Sequence, residues 1–192
     1  FLTADAEGVL PPISKLEGDA ITYYFLTGYT SKLAGTEAGL GEEPIPYFSA
    51  GFGAPFLPRH PRVYGMMLDD KLRRHNSNVW LINTGWTGGP YGVGNRIALK
   101  HTRALINAVF NGDFDNISYT NFAGFDLKIP SFCKDVPGEI LHPRNSWDDQ
   151  EAFNTKRLEL ANLFIENFSQ FEENIDEAIL MAQPSTLMQF VS

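Results

Sequence analysis

Apolar and polar positions are most sharply organised between Val79 and Arg103, and the rest of the chain can be read outward from there. Val79, Trp80, Leu81 and Ile82 form an unbroken apolar run of β-favouring residues, the pattern of a buried strand. Asn83-Thr84-Gly85 closes that run. A loop with Gly85, Gly88, Gly89, Gly92 and Gly94 follows, and then Leu105, Ile106, Val109 and Phe110 recur at helical spacing. The spacing predicts an amphipathic helix from His101 to Phe110, with those four side chains facing inward and Asn111-Gly112 ending it.

Upstream, Phe1 to Ala4 reads as the tail of a strand. Asp5 to Pro12 reads as a loop, because Gly8 and Pro11-Pro12 interrupt any regular element. Ser14 and Glu17 have capping-box spacing ahead of Ile21, Tyr24, Phe25 and Tyr29, which predicts a helix with its aromatic stripe on the core. Lys32 to Phe56 carries glycines and prolines at short intervals and is expected to be a long loop with one short strand near Tyr47 to Ser49. His60-Pro61 then starts a helix through Tyr64, Met67, Leu68 and Leu72.

Downstream, Ile117, Tyr119, Phe122, Phe125, Leu127 and Ile129 alternate loosely and predict short strand pieces. Pro130 and Pro137 bound a loop holding Cys133, and Pro143 to Trp147 is a turn. Asp148-Asp149 open a long helix that carries Phe153, Leu158, Leu160, Leu163, Phe164 and Phe168 to about Phe171; carboxylates suit the positive end of the helix dipole. From residue 172 to 192 a peripheral tail is expected, a helix and then a frayed end. The pattern as a whole predicts an α/β architecture, a mixed sheet with covering helices.

A chain of 192 residues with 43% hydrophobic content can bury a sizeable core, as one large domain or two small ones. Its formal charge of −8 disfavours non-specific binding to nucleic acid or an anionic membrane. No apolar run approaches the roughly 18 residues a membrane span needs. Cys133 is the single cysteine, so no intrachain disulfide forms, which agrees with a reducing compartment. Phe1-Leu2-Thr3 opens in what reads as mid-strand, with no initiator Met and no signal peptide, so a piece of a longer chain is expected.

Candidate chemistry is sparse. A strand, a glycine loop and then Arg96, Lys100, Thr102 and Arg103 near a helix start is a geometry that can bind nucleotides, since backbone amides and helix N-termini attract anions. Gly89 to Gly94 has the spacing of a phosphate loop, but Asn95-Arg96 stands where Lys-Ser/Thr is required. The other reading is a glycine-rich connection between two core elements. Gly51-Phe52-Gly53 runs into Ala54-Pro55-Phe56 and fails the dinucleotide fingerprint. Asp69 and Asp70 point about 100° apart on a helix and read as a solvated face rather than a metal dyad. His60, His75, His101 and His142 lack metal-ligand spacing, and Cys133 has no catalytic partner at a motif spacing.

Several stretches, read together, resemble one family in collinear order over about residues 1 to 171. They are Asp5 to Leu16 (DAEGVLPPISKL), Gly28 to Glu37 (GYTSKLAGTE) and Phe48 to Phe56 (FSAGFGAPF). Asn83-Thr84-Gly85-Trp86, the loop to Arg96-Ile97, Lys100-His101-Thr102-Arg103-Ala104, Asp126 to Pro130 and Leu141-His142-Pro143-Arg144 complete the set. The chain resembles the ATP-dependent phosphoenolpyruvate carboxykinases, and specifically the C-terminal part of their nucleotide-binding domain.

That resemblance implies conversion of oxaloacetate and ATP to phosphoenolpyruvate, carbon dioxide and ADP, in the cytoplasm and as part of gluconeogenesis. It implies magnesium and manganese as metals. It places the phosphate loop, the metal ligands and the oxaloacetate-binding arginine in a missing N-terminal half of the same protein, ahead of Phe1, and leaves a homo-oligomer open. By match to the family motif, Arg96 and Ile97 contact the adenosine end of ATP and Thr102 adds a hydrogen bond there. No catalytic residue and no metal ligand is carried over, so the isolated chain is expected to be inactive. Asn95 stands where many relatives carry Lys, Gly51 where some carry Cys, and Glu7 where an aromatic is common. The alternative class is a non-catalytic purine-nucleotide-binding or subunit-contact module.

Overall fold

In the computed structural model, residues 1–32 and 43–186 are described. Part of the expected loop from Lys32 to Phe56 and the end of the tail lie outside them. The elements in chain order are β1 (Leu2–Thr3), β2 (Ile13–Leu16), α1 (Asp19–Thr27), β3 (Tyr29–Lys32), β4 (Ile45–Phe48), α2 (Pro61–His75) and β5 (Val79–Asn83). They continue with β6 (Trp86–Thr87), β7 (Asn95–Arg96), α3 (Leu99–Asn111), β8 (Tyr119–Phe122) and β9 (Leu127–Pro130). Four helices close the chain: α4 (Gly138–Leu141), α5 (Pro143–Ser146), α6 (Gln150–Phe168) and α7 (Glu177–Met181).

The main sheet has the order β1-β5-β2-β9-β8, with β1 parallel to β5 and every other neighbouring pair antiparallel. It is therefore mixed, and helices complete an α/β fold. β5 is second from the edge and pairs on both sides, Ile82 against both Leu2 and Ile13. Val79, Leu81 and Ile82 are buried and Trp80 is half-buried, so both faces of the strand are covered and the run is apolar throughout. Two smaller ribbons, β3–β4 and β6–β7, stand apart from that sheet.

The core is aromatic. On α6, Phe153, Leu160, Ala161, Phe164 and Phe168 are buried on one helical face. Phe164 lies 5.0 Å from Tyr29 and 5.4–5.9 Å from Phe48, Phe125 and Tyr24, measured between ring centroids. Burying each such ring contributes about 1.5–3 kcal/mol, and edge-on pairing adds a smaller increment. The Tyr24 hydroxyl is satisfied by the Phe125 carbonyl at 2.6 Å. Asp149 caps α6, accepting from the N–H groups of Glu151 and Ala152 at 2.9 and 3.0 Å. After α6, Phe171 and Ala182 are buried, and Ile175, Ile179 and Leu180 pack against the core.

Four local expectations are corrected. Ser14 does not cap a helix; it lies in β2 opposite Leu81, and α1 starts at Asp19 behind Gly18. Glu17 pairs with Lys15 at 3.0 Å and with Lys128 on the neighbouring strand. Pairing on both sides of β2 outweighs the local capping signal, because it satisfies a whole strand's backbone rather than two amides. Tyr29, assigned to the same helix, belongs to β3. In α3, Phe110 is 83% exposed, whereas His101 and Thr102 are buried with Leu105 and Ala108. Residues Pro143–Ser146 make a turn of helix rather than an irregular turn.

Candidate functional site

The centre of the site is a buried carboxylate. Asp5 follows β1 and is fully buried, and its two oxygens organise the loop that follows. Oδ1 accepts from the Glu7 N–H at 3.0 Å and the Tyr29 hydroxyl at 2.8 Å; Oδ2 accepts from the N–H groups of Val9 and Leu10, both at 2.8 Å. Burial pushes the Asp5 carboxyl above the ordinary range, and the Leu10 N–H, the Tyr29 hydroxyl and the Glu7 and Val9 N–H groups pull it back. The tyrosine's own hydroxyl is pushed well up, first by burial and then by the Asp5 charge. Asn83, at the end of β5, locks the same loop to the sheet. Its Oδ1 accepts from the N–H groups of Asp5 and Gly85 at 2.9 Å, and its Nδ2 donates to the Leu10 carbonyl at 2.8 Å.

The glycine loop is clamped onto that knot. The backbone N–H of Trp86 donates to the Asp5 carbonyl at 2.8 Å and that of Tyr91 to the Ala6 carbonyl at 2.7 Å. A Cβ on Gly85 would lie 2.0 Å from the Asp5 oxygen, and one on Gly8 would lie 2.2 Å from the Gly89 oxygen, so only glycine permits this approach. From the other side, Ser146 Oγ takes the Gly88 N–H at 3.0 Å and meets Thr87 Oγ1 at 2.9 Å, while Trp147 Nε1 donates to the Gly8 carbonyl at 2.9 Å. The Gly94 N–H goes to the Pro90 carbonyl at 2.8 Å. A phosphate cradle needs convergent unpaired amides. Here the N–H groups of Gly85, Gly88, Tyr91 and Gly94 bond to the protein itself, which favours the structural connection over the phosphate loop.

Arg96, Ile97 and Thr102 take three different positions. β6 and β7 pair antiparallel across the loop, with Trp86 opposite Arg96 and Thr87 opposite Asn95. The exposed Arg96 guanidinium lies over the Trp86 indole, 5.6 Å from the ring centroid, and its Nε donates to the Thr84 carbonyl at 3.2 Å. Ile97 is only 6% exposed, and its N–H donates to the Gly85 carbonyl at 2.8 Å. Thr102 sits in the first turn of α3, 7% exposed, with its N–H directed to Ala98. Among the described residues no hydrogen bond joins Thr102 to Arg96.

The remaining candidates are structural. Asp69 and Asp70 pair with Arg73 and Arg74 at 3.0 and 2.9 Å along an exposed helix face. Cys133 is buried, and burial raises its thiol, the opposite of nucleophilic activation. His101 Nδ1 lies 3.0 Å from the Asp135 carbonyl. Among the described residues no group of three or more His, Cys, Asp or Glu side chains is arranged to hold a metal ion, so the residues at hand do not fit magnesium or manganese. No helix among them is long and apolar enough to cross a membrane.

Sequence reasoning missed Trp86, Asp5 and Asn83. A signal for the first existed: a glycine-rich loop closing as a hairpin brings its flanks into register, and that puts an indole beside a guanidinium.

The fold and site define an α/β domain whose glycine-rich loop is locked to a buried carboxylate and displays one cation on an aromatic shelf. Comparison with known proteins gives the family. The sequence pattern of phosphoenolpyruvate carboxykinase matches residues 1–139. Proteins named phosphoenolpyruvate carboxykinase (ATP) from Christiangramia forsetii and Flavobacterium johnsoniae are each 53% identical, over 184 and 186 residues, or 96% and 97% of this chain. One from Fusobacterium nucleatum is 52% identical over 184 residues. The chain belongs to the phosphoenolpyruvate carboxykinase family. It spans about a third of the length of these curated relatives, 34–35%.

Proposed function

We propose that this chain carries the adenosine-binding part of an ATP-dependent phosphoenolpyruvate carboxykinase. Its residues 1–192 form the C-terminal portion of one nucleotide-binding domain, and Ile175, Ile179, Leu180 and Ala182, in the segment expected as a peripheral tail, pack on the core. The whole protein converts oxaloacetate and ATP to phosphoenolpyruvate, carbon dioxide and ADP, a cytoplasmic step of gluconeogenesis. The observation that carries this reading is the exposed Arg96 guanidinium, 5.6 Å from the Trp86 ring centroid and tied through Nε to the Thr84 carbonyl.

Arg96 offers a planar cation to the face of adenine. Ile97, 6% exposed and tied through its N–H to Gly85, fixes the end of the ribbon beside that cation, and the family resemblance gives it a contact at the adenosine end. The family resemblance assigns the Thr102 hydroxyl a hydrogen bond to the adenosine from the first turn of α3, where its side chain is 7% exposed. The family resemblance assigns the phosphates and the magnesium and manganese ions to residues ahead of Phe1, and here the N–H groups of Gly85, Gly88, Tyr91 and Gly94 bond to the protein itself. Phosphoryl transfer rests on positioning of phosphates and metal, so this chain's own contribution is to hold and orient the base.

The test is Arg96→Ala in the full-length polypeptide. The KM for ATP rises on the order of tenfold, equivalent to ~1.4 kcal/mol, with a smaller change for oxaloacetate. Equal effects on both substrates refute the nucleotide role. Nucleotide binding with no ATP-dependent release of carbon dioxide from oxaloacetate would favour a non-catalytic nucleotide-binding module instead.

A further inference from the structure

An exposed arginine ordinarily samples many rotamers, and ordering it on binding costs part of whatever it contributes. Arg96 is held before any ligand arrives. Its Nε is bonded to the Thr84 carbonyl at 3.2 Å, and its Cζ lies 5.6 Å from the ring centroid of Trp86, the aromatic that attracts a guanidinium most strongly. Trp86 is itself fixed on three sides. Its N–H is bonded to Asp5, its neighbour Gly85 abuts the Asp5 backbone, and Tyr91 meets the indole edge-on at 5.6 Å and 73°.

The Nε contact also restricts what Arg96 can grip. The side-on fork that takes a carboxylate or phosphate in two parallel bonds uses Nε, and here that donor faces the protein. The end-on Nη1/Nη2 pair and the planar face turned away from Trp86 stay available at the exposed side chain. A flat cation backed by an indole and open on one side suits an aromatic ring better than an anion.

We propose that Trp86 is a positioning residue for the nucleotide base. The indole holds the Arg96 guanidinium from behind, so that Trp86, Arg96 and a purine ring stack in that order. The inference rests on the nucleotide reading given above and adds to it the residue that orients Arg96.

The experiment uses the full-length polypeptide and equilibrium titration with two probes, ATP and inorganic tripolyphosphate, on four variants: Trp86→Leu, Trp86→Phe, Arg96→Ala and the double Trp86→Leu/Arg96→Ala. Thermal midpoints are recorded alongside. Trp86→Leu is expected to weaken ATP about tenfold. Tripolyphosphate, which has no base, is unaffected. Trp86→Phe, which keeps an aromatic face, recovers most of the loss, and the double variant binds ATP no worse than Arg96→Ala alone, because both substitutions remove one coupled unit.

Equal weakening of ATP and tripolyphosphate by Trp86→Leu, or additive losses in the double variant, would overturn the proposal by showing a general structural effect. Unchanged ATP affinity in Trp86→Leu beside a weakened Arg96→Ala would overturn the role of Trp86 and leave the nucleotide reading standing. Unchanged ATP affinity in Arg96→Ala would remove that reading, and this inference with it.

Discussion

Two regions joined through the glycine loop treat polar groups in opposite ways. Around Asp5, the carboxylate oxygens, three backbone amides and a tyrosine hydroxyl are consumed inside the protein, behind a 0% exposed side chain. At Arg96, on the far flank of the same glycine loop, a charged group is left at the surface with its outer face open. The difference teaches where rigidity comes from and where it is used. A buried ion is tolerated only when hydrogen bonds replace its hydration, so Asp5 fixes the loop's shape. The loop then carries that shape outward through the Trp86 amide to a cation that is free to meet a ligand.

If this division is right, substitutions in the knot act on stability and those on the shelf act on binding. Asp5→Ala should cause the largest loss, on the order of 3 kcal/mol or more, because it strands buried donors of Glu7, Val9, Leu10 and Tyr29. Urea denaturation measures it, and a loss below ~1 kcal/mol would break the comparison. Gly85→Ala comes next, at about 1–3 kcal/mol, since a methyl group must displace the Asp5 backbone.

His142, between α4 and α5 in the segment that supplies Ser146 and Trp147, gives a smaller and pH-dependent effect. Burial lowers its folded-state pKa below the ordinary value of 6.5, so folding favours the neutral ring. The corresponding stability is present above that ordinary value and declines as pH falls from it toward the folded value. Thermal midpoints between pH 8 and pH 5 should therefore slope downward with acid, and His142→Gln should flatten that slope.

The Lys156 ammonium, 2.9 Å from Glu159 and 3.2 Å from Glu7, tethers the knot to α6 across a partly solvated surface. Lys156→Met is expected to cost below ~1 kcal/mol, and the cost should shrink further in high salt. Arg96→Ala should shift stability least, within ~0.5 kcal/mol, while producing the loss of ATP affinity predicted above. A large stability loss there would erase the distinction between knot and shelf.

Much of this was legible in order of residues. The strand–loop–helix progression from Val79 to Arg103 emerges as β5, the β6–β7 ribbon and α3, because a continuous apolar run, clustered glycines and helical spacing each allow few alternatives. Asp149 caps α6 as its place before an apolar-periodic stretch implies. The solvated Asp69-Asp70 face was also readable, since it depends on Arg73 and Arg74 one helical turn away.

Other features were decided by partners distant in sequence. Ser14 and Glu17 spell a cap, yet β5 and β9 on either side make the segment a strand. Phe110 fits an inward helical position, yet the tertiary packing leaves it in water and buries His101 and Thr102 instead. Asp5 reads as an ordinary loop carboxylate; only the approach of Tyr29, Asn83 and the glycine loop makes it the hub. The sequence by itself determined the strand–loop–helix order from Val79 to Arg103, the start of α6 and the family, because periodicity, breakers and collinear motifs are local properties of the chain. The tertiary structure alone decided which polar groups are spent inside and which face outward. Burial and hydrogen-bond satisfaction belong to pairs of residues brought together by the fold, such as Asp5 with Asn83 and Trp86 with Arg96.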